Sequence, residues 1–94
     1  MELTDQVLFG DIWERQGLSA RDRSLITVAT LIANGSTEQL VGHLARARSN
    51  GLTQDELKEV IIHQAFYAGW PRAMSAITVA RSVFAAEQAP ETQS

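Results

Sequence analysis

Helix start and stop signals recur through this chain at close intervals, and no stretch alternates polar and apolar residues with the period of two that a half-buried strand needs. Ser19, with Asp22 three residues on, reads as an N-cap, and the helix that follows runs to Ala33 and stops at Asn34-Gly35. Ser36 with Gln39 reads as a capping box for a helix over about 37–50, ended by Asn50-Gly51. Thr53 with Glu56 is the strongest such pair and opens a helix over about 54–69. Gly69 ends it, and Pro71 sits in the first turn of a helix that carries to about Glu87. Ahead of these, Leu3 to Trp13 reads as a short, weak helix interrupted by Gly10. The spacing therefore predicts one all-α domain over 1–94, five helices joined by short connections as antiparallel neighbours. The polar stretch 88–94, with Pro90, is expected to be a disordered tail.

Composition narrows the function. The 94 residues include no cysteine, which removes disulfides, thiolate-ligated metals and thiol chemistry. Eight Lys plus Arg against eleven Asp plus Glu leave a net charge of −3, and the basic residues are scattered, which argues against a nucleic-acid partner. The longest mostly apolar run, Leu25 to Ala33, is too short to span a bilayer, and Met1 to Asp5 lacks signal-peptide character. A cytoplasmic protein with no membrane partner is the expectation. No phosphate loop, nucleophilic serine motif or dinucleotide fingerprint is present, and neither a cofactor nor a metal is expected.

Two helices carry more apolar or aromatic surface than one core stripe needs. At about 100° per residue, Leu25, Ile26, Val28, Ala29, Leu31, Ile32 and Ala33 cover roughly 220°. Either that helix is central or a partner subunit covers part of it, and a chain of this size favours a homo-oligomer. On the 54–69 helix, Leu57, Ile61, Ala65 and Ala68 form the core stripe. The opposite side gathers Glu59, His63, Phe66, Tyr67 and Trp70, if the helical turn continues to Trp70. Glu59 and His63 are one turn apart, a carboxylate able to orient an imidazole for proton transfer, or else an ordinary surface pair.

His43 lies beside the stripe of Leu40, Leu44 and Ala47, and Gly42 within that helix suggests close approach of another helix or a ligand. Two histidines and one glutamate could hold a metal, but His43 and His63 lie on different helices with no tight spacing, which makes a poor metal site. Arg21 and Arg23 flank Asp22 at a helix start, a place where a cation is unfavourable, which points either to a specific role such as gripping a carboxylate or to a solvated or interhelix ion pair with Asp22 or a neighbour. Arg46, Arg48 and Lys58 read as solvated charges.

These segments resemble a known family. Leu18-Ser19-x-Arg21-Asp22-Arg23-Ser24-Leu25, Glu38-Gln39-Leu40 before His43-Leu44, Gly51-Leu52-Thr53, Glu59-Val60-Ile61-Ile62-His63 and Phe66-Tyr67-Ala68-Gly69-Trp70-Pro71-x-Ala73 occur in the order and spacing of the carboxymuconolactone decarboxylase family, over residues 11–85. The resemblance implies an alkylhydroperoxidase-D-like helical fold that assembles as homo-oligomeric rings, trimers or hexamers, with sites near subunit interfaces. It implies one of two chemistries. The thiol peroxidase branch uses a Cys-x-x-Cys pair, and Ser36 and Gln39 occupy those slots here ahead of His43, so that chemistry is lost. What the resemblance leaves is cofactor-free decarboxylation of a carboxylated lactone or related small organic acid, as in aromatic catabolism, with other acid–base chemistry on the same fold or a non-catalytic oligomeric binding module as the alternatives. The expected catalytic residues are His63, Glu59 and His43, with Arg23 for a substrate carboxylate and Tyr67, Trp70, Phe66 and Trp13 lining the pocket.

Overall fold

A computed structural model describes residues 6–88. Five helical elements follow one another: α1 (Leu8–Ile12), α2 (Ala20–Asn34), α3 (Thr37–Ser49), α4 (Gln54–Tyr67) and α5 (Trp70–Gln88). Among the described residues there is no strand, and no helix is long and apolar enough to cross a membrane. The expected tail lies outside the described residues from 89 on, as does the expected helical start at residues 3–5. α1 is a single π-helical turn, closed by the Trp13 N–H donating to the Leu8 carbonyl at 2.8 Å, and it buries no residue of its own.

The core follows from helical spacing. Val28 and Ile32 of α2, Leu40, Leu44 and Ala47 of α3, Leu57, Ile61 and Ala65 of α4, and Ala73, Ala76, Ala80 and Phe84 of α5 are buried, each set at intervals of three or four. Leu52, in the α3–α4 connection, completes it. The alanines of α5 let its backbone come close to its neighbours. α2 packs on α3, α4 and α5, which explains its wide apolar arc as a central position, although Ile26 stays half exposed.

Capping decides where the helices begin. Ser19 and Thr53 have extended backbones (ψ 160° and 162°), and each hydroxyl accepts the N–H three residues on. Glu56 answers Thr53 in a complete capping box, whereas Asp22 only donates its backbone N–H to the Ser19 hydroxyl. The capping box expected at Ser36 does not form. Ser36 has ψ 69°, and its own N–H is drawn back to the Leu31 carbonyl at 2.9 Å, closing α2 around Gly35 at φ 72°. The Gly35-Ser36 turn serves the end of α2 and leaves the hydroxyl of Ser36 out of position for α3.

Two further expectations are corrected. Gly42 faces open space, since a Cβ built there meets nothing within 4 Å, so no close approach within the chain requires it. Arg46 and Arg48 are not simply solvated. Arg48 pairs with Glu87 of α5 at 3.0 Å and donates to the Leu52 carbonyl at 3.1 Å, and Arg46 covers aromatic rings of α1.

Candidate functional site

The polar residues singled out in the sequence fall into two groups on different parts of the molecule. The first is built where α1 meets α3. His43 and Arg46, three residues apart on α3, share one face. Phe9 and Trp13, four apart at α1, lie against them. Phe9, Trp13 and His43 form a near-parallel trio with centroid separations of 6.0, 6.5 and 6.3 Å. The guanidinium carbon of Arg46 sits 4.5 Å from the centre of the Phe9 ring and 5.7 Å from that of Trp13. Burial, and then the nearby charge of Arg46, push the His43 pKa below its ordinary value and favour the neutral ring. Its Nδ1 is buried with no hydrogen-bond partner.

Trp13 also belongs to a second wall. With Leu8, Ile12, Leu18, Ile26, Thr27 and Arg23 it lines an open pocket of about 260 Å³ between α1 and the start of α2. Arg23 uses one terminal nitrogen to hold the Arg15 carbonyl at 3.2 Å. Its Nε is buried and unpartnered. Nε of Arg23 and Nδ1 of His43 are the two buried side-chain polar atoms without a partner among the described residues. Such atoms in a native fold call for an explanation, and an absent ligand or water is a common one.

The second group lies on α4. Glu59 and His63 are together, as their spacing predicts, beside an open cleft of about 450 Å³. Leu25, Ala29, Leu52 and Val60 provide its apolar lining and Arg21, Glu56 and Gln64 the remaining polar groups. Arg21 bridges Asp22 and Glu56, crossing from α2 to α4. The hydrogen bond from the Thr53 backbone, with smaller help from Arg21, holds the Glu56 carboxyl below its ordinary pKa. No hydrogen bond joins Glu59 to His63 among the described residues. His63 instead stacks on Tyr67, with centroids 4.6 Å apart and planes at 19°.

Trp70 does not share the α4 face. The helix stops at Ala68, Gly69 takes φ 101°, and Trp70 begins α5. Its ring still meets Phe66 edge-on at 5.7 Å across the turn. Phe66, Tyr67 and Trp70 are 74%, 78% and 60% exposed and belong to the lining of neither pocket described above. His43 and Arg23 thus each adjoin Trp13 at α1, the one by its ring and the other across the pocket, while His63, Glu59 and Tyr67 lie together on α4, and the lining of the two pockets has no residue in common. Phe9 and Arg46 were missed from the sequence, although the pairs Phe9/Trp13 and His43/Arg46 carry the helical spacing that would have placed each on a shared face.

Comparison with known proteins agrees with this architecture. The chain is 45% identical over 76 residues to 4-carboxymuconolactone decarboxylase of Acinetobacter baylyi, covering 81% of this chain and 57% of that protein. It is 35% identical over 78 residues to nitrosuccinic acid decarboxylase of Metarhizium robertsii, covering 83% and 54% respectively. An uncharacterized 15.0 kDa protein of Paracoccus denitrificans is 31% identical over 84 residues, covering 87% and 63%. The chain thus spans little more than half the length of the first two relatives. A sequence profile matches residues 1–82, and on that match the chain belongs to the carboxymuconolactone decarboxylase family.

Proposed function

We propose that this protein is a cofactor-free carboxy-lyase acting on a carboxylated lactone or related small organic acid, by acid–base chemistry between α1, α2 and α3. The observation that carries the reading is the pair of unpartnered buried nitrogens, Arg23 Nε and His43 Nδ1, on residues that both neighbour Trp13. Each such atom costs about 1–3 kcal/mol while unmet. The names of two relatives, each a decarboxylase of a small carboxylated compound, support the same class.

Loss of CO2 breaks the bond to the carboxyl carbon and leaves its electron pair on the neighbouring carbon, where an adjacent unsaturated lactone or other acceptor group spreads it. A proton then completes that carbon. An arginine gripping the departing carboxylate would stabilise the ground state and slow the reaction, because the charge leaves that group on the way to CO2. Arg23 is therefore suited to a second, retained carboxylate, taken side-on through Nε and a terminal nitrogen. The substrate class that follows is a small dicarboxylate. His43, held neutral by its surroundings, relays the proton: one ring nitrogen delivers it while the other is resupplied from water.

In the same reading the chain works as a homo-oligomeric ring, a trimer or hexamer, in which the exposed Phe66, Tyr67 and Trp70 at the α4–α5 turn meet a neighbouring copy. A second reading keeps the reaction and takes the proton from His63 with Glu59. It is favoured by their shared cleft, which a neighbouring copy would close.

The test is CO2 release from carboxylated lactones and small dicarboxylates by the wild-type protein and four variants. His43→Ala is expected to lower kcat about 100- to 10,000-fold, Arg23→Gln to raise KM, and His63→Ala and Glu59→Gln to leave turnover near wild type. The reverse pattern moves the proton donor to α4. Turnover indifferent to both histidines removes the histidine acid–base mechanism, and turnover absent with every such acid removes the lyase reading and leaves an oligomeric binding module.

A further inference from the structure

α1 buries no side chain of its own, yet its two rings cover His43. Among the described residues, the polar holds on this helical turn are two. The Arg15 carbonyl just beyond it accepts from Arg23 at 3.2 Å, and the guanidinium of Arg46 lies over Phe9 and Trp13 at 4.5 and 5.7 Å. Between Trp13 and Ser19 the chain is exposed, and Gly17 has no atom of another residue near the place a Cβ would take. That leaves a short connection able to swing.

We propose that Arg46 is a positioning residue, a cation that clamps Phe9 and Trp13 of α1 against His43 and so makes α1 the movable wall of the pocket. The clamp works because the guanidinium and the imidazole project from one face of α3, so a single helix fixes both the ring to be covered and the cation that secures the cover. It is an attraction between a cation and two aromatic faces, weak enough to be released by an entering ligand. The same placement sets a positive charge beside His43, while α1 presents only the rings of Phe9 and Trp13 to it, so closing the wall and keeping the imidazole neutral are one act. The second hold on this segment is open to exchange. A carboxylate taken side-on by Arg23 uses Nε and a terminal nitrogen, and the Arg15 carbonyl competes for that terminal position. With that hold given up, Arg46 is the polar contact that remains, beside the apolar ones of Leu8, Ile12 and Trp13, to keep α1 in place over an occupied pocket.

The catalytic meaning of this clamp rests on the lyase reading, but its test does not require turnover. Amide hydrogen exchange across 8–13 and NMR titration of the His43 ring are compared in wild type, Arg46→Gln and Arg46→Lys. Arg46→Gln should speed exchange in that segment about two- to fivefold, leave the buried amides of α2 to α5 unchanged, and raise the His43 pKa toward its ordinary value. Arg46→Lys, which keeps the cation, should recover most of both effects. Unchanged exchange over 8–13 in Arg46→Gln overturns the proposal. So does a rise spread evenly through all five helices, the mark of general destabilisation, and so does a lysine that restores neither readout. A clamp found without any decarboxylation would leave this inference standing and the lyase reading without support.

Discussion

The carboxamide of Asn50, at the end of α3, donates to the hydroxyl of Ser24 in the middle of the core at 2.9 Å. Ser24 is fully buried and is the polar residue the interior of this small domain contains among its described residues. The bond ties α2 to the α3–α4 connection at the level of Leu52. Asn50→Ala leaves the hydroxyl without its donor and is expected to cost about 1–3 kcal/mol. Ser24→Ala, which frees a half-exposed amide to find water, should cost less. Chemical denaturation with unchanged m-values would measure both; equal costs would contradict this account.

Acid should destabilise the fold in two stages. His43 has a lowered pKa, from burial first and Arg46 second, so below the ordinary imidazole range the unfolded chain takes up a proton that the native one resists. Glu56, held low chiefly by the Thr53 backbone, and Glu87, held low by Gln54 and then Arg48, act further down. Each contributes stability that is present above the ordinary carboxylate range and is lost as pH falls toward its own depressed value. Thermal melts over that range should show His43→Phe flattening the upper stage, and Glu56→Gln with Glu87→Gln flattening the lower. A profile unaltered by these changes would mean that the acid sensitivity lies elsewhere.

Two glycines should respond in opposite directions to alanine. Gly42 lies inside α3 with open space around the missing Cβ, so Gly42→Ala should stabilise by about 1 kcal/mol. Gly35 ends α2 at φ 72°, and a Cβ there would fall 1.8 Å from a terminal nitrogen of Arg72. The side chain of Arg72 can move, but the left-handed backbone cannot be relieved, and Gly35→Ala should cost about 1–2 kcal/mol. Melting temperatures give the check, at about 4–8 °C per kcal/mol for a domain of this size. A destabilising Gly42→Ala would indicate that a neighbouring copy packs against that face of α3.

Phe66→Asp and Trp70→Asp should shift the protein toward single chains in sedimentation or light scattering, with little change in helicity, since neither ring contributes to the core. A wild-type mass near 10.3 kDa would remove the ring assembly altogether.

How far the sequence reached can be seen at particular positions. Thr53 and Glu56 announced α4 because a capping box is made entirely within four residues. Leu57, Ile61 and Ala65 announced its buried stripe because helical period alone fixes which side chains align. Ser36 carried the same signal as Thr53 and failed, because the preceding helix claimed its backbone first. Trp70 shares the α4 face only if the helix continues past Gly69, and that condition fails because Gly69 turns the chain at φ 101° and Trp70 begins α5.

The sequence by itself determined the helices, their core faces, the family and the loss of thiol chemistry, since each depends on residue identity or on neighbours within a turn or two. Tertiary structure decided which functional residues meet. Nothing local says that α1 folds onto α3 rather than elsewhere, that Arg46 ends over Phe9, or that Arg23 and His43 each keep a buried nitrogen unmet beside Trp13 while His63 and Glu59 face a different cleft. Those relationships join residues from separate helices. They arise only when the helices pack, because burial and the distance between side chains far apart in sequence are properties of the packed molecule.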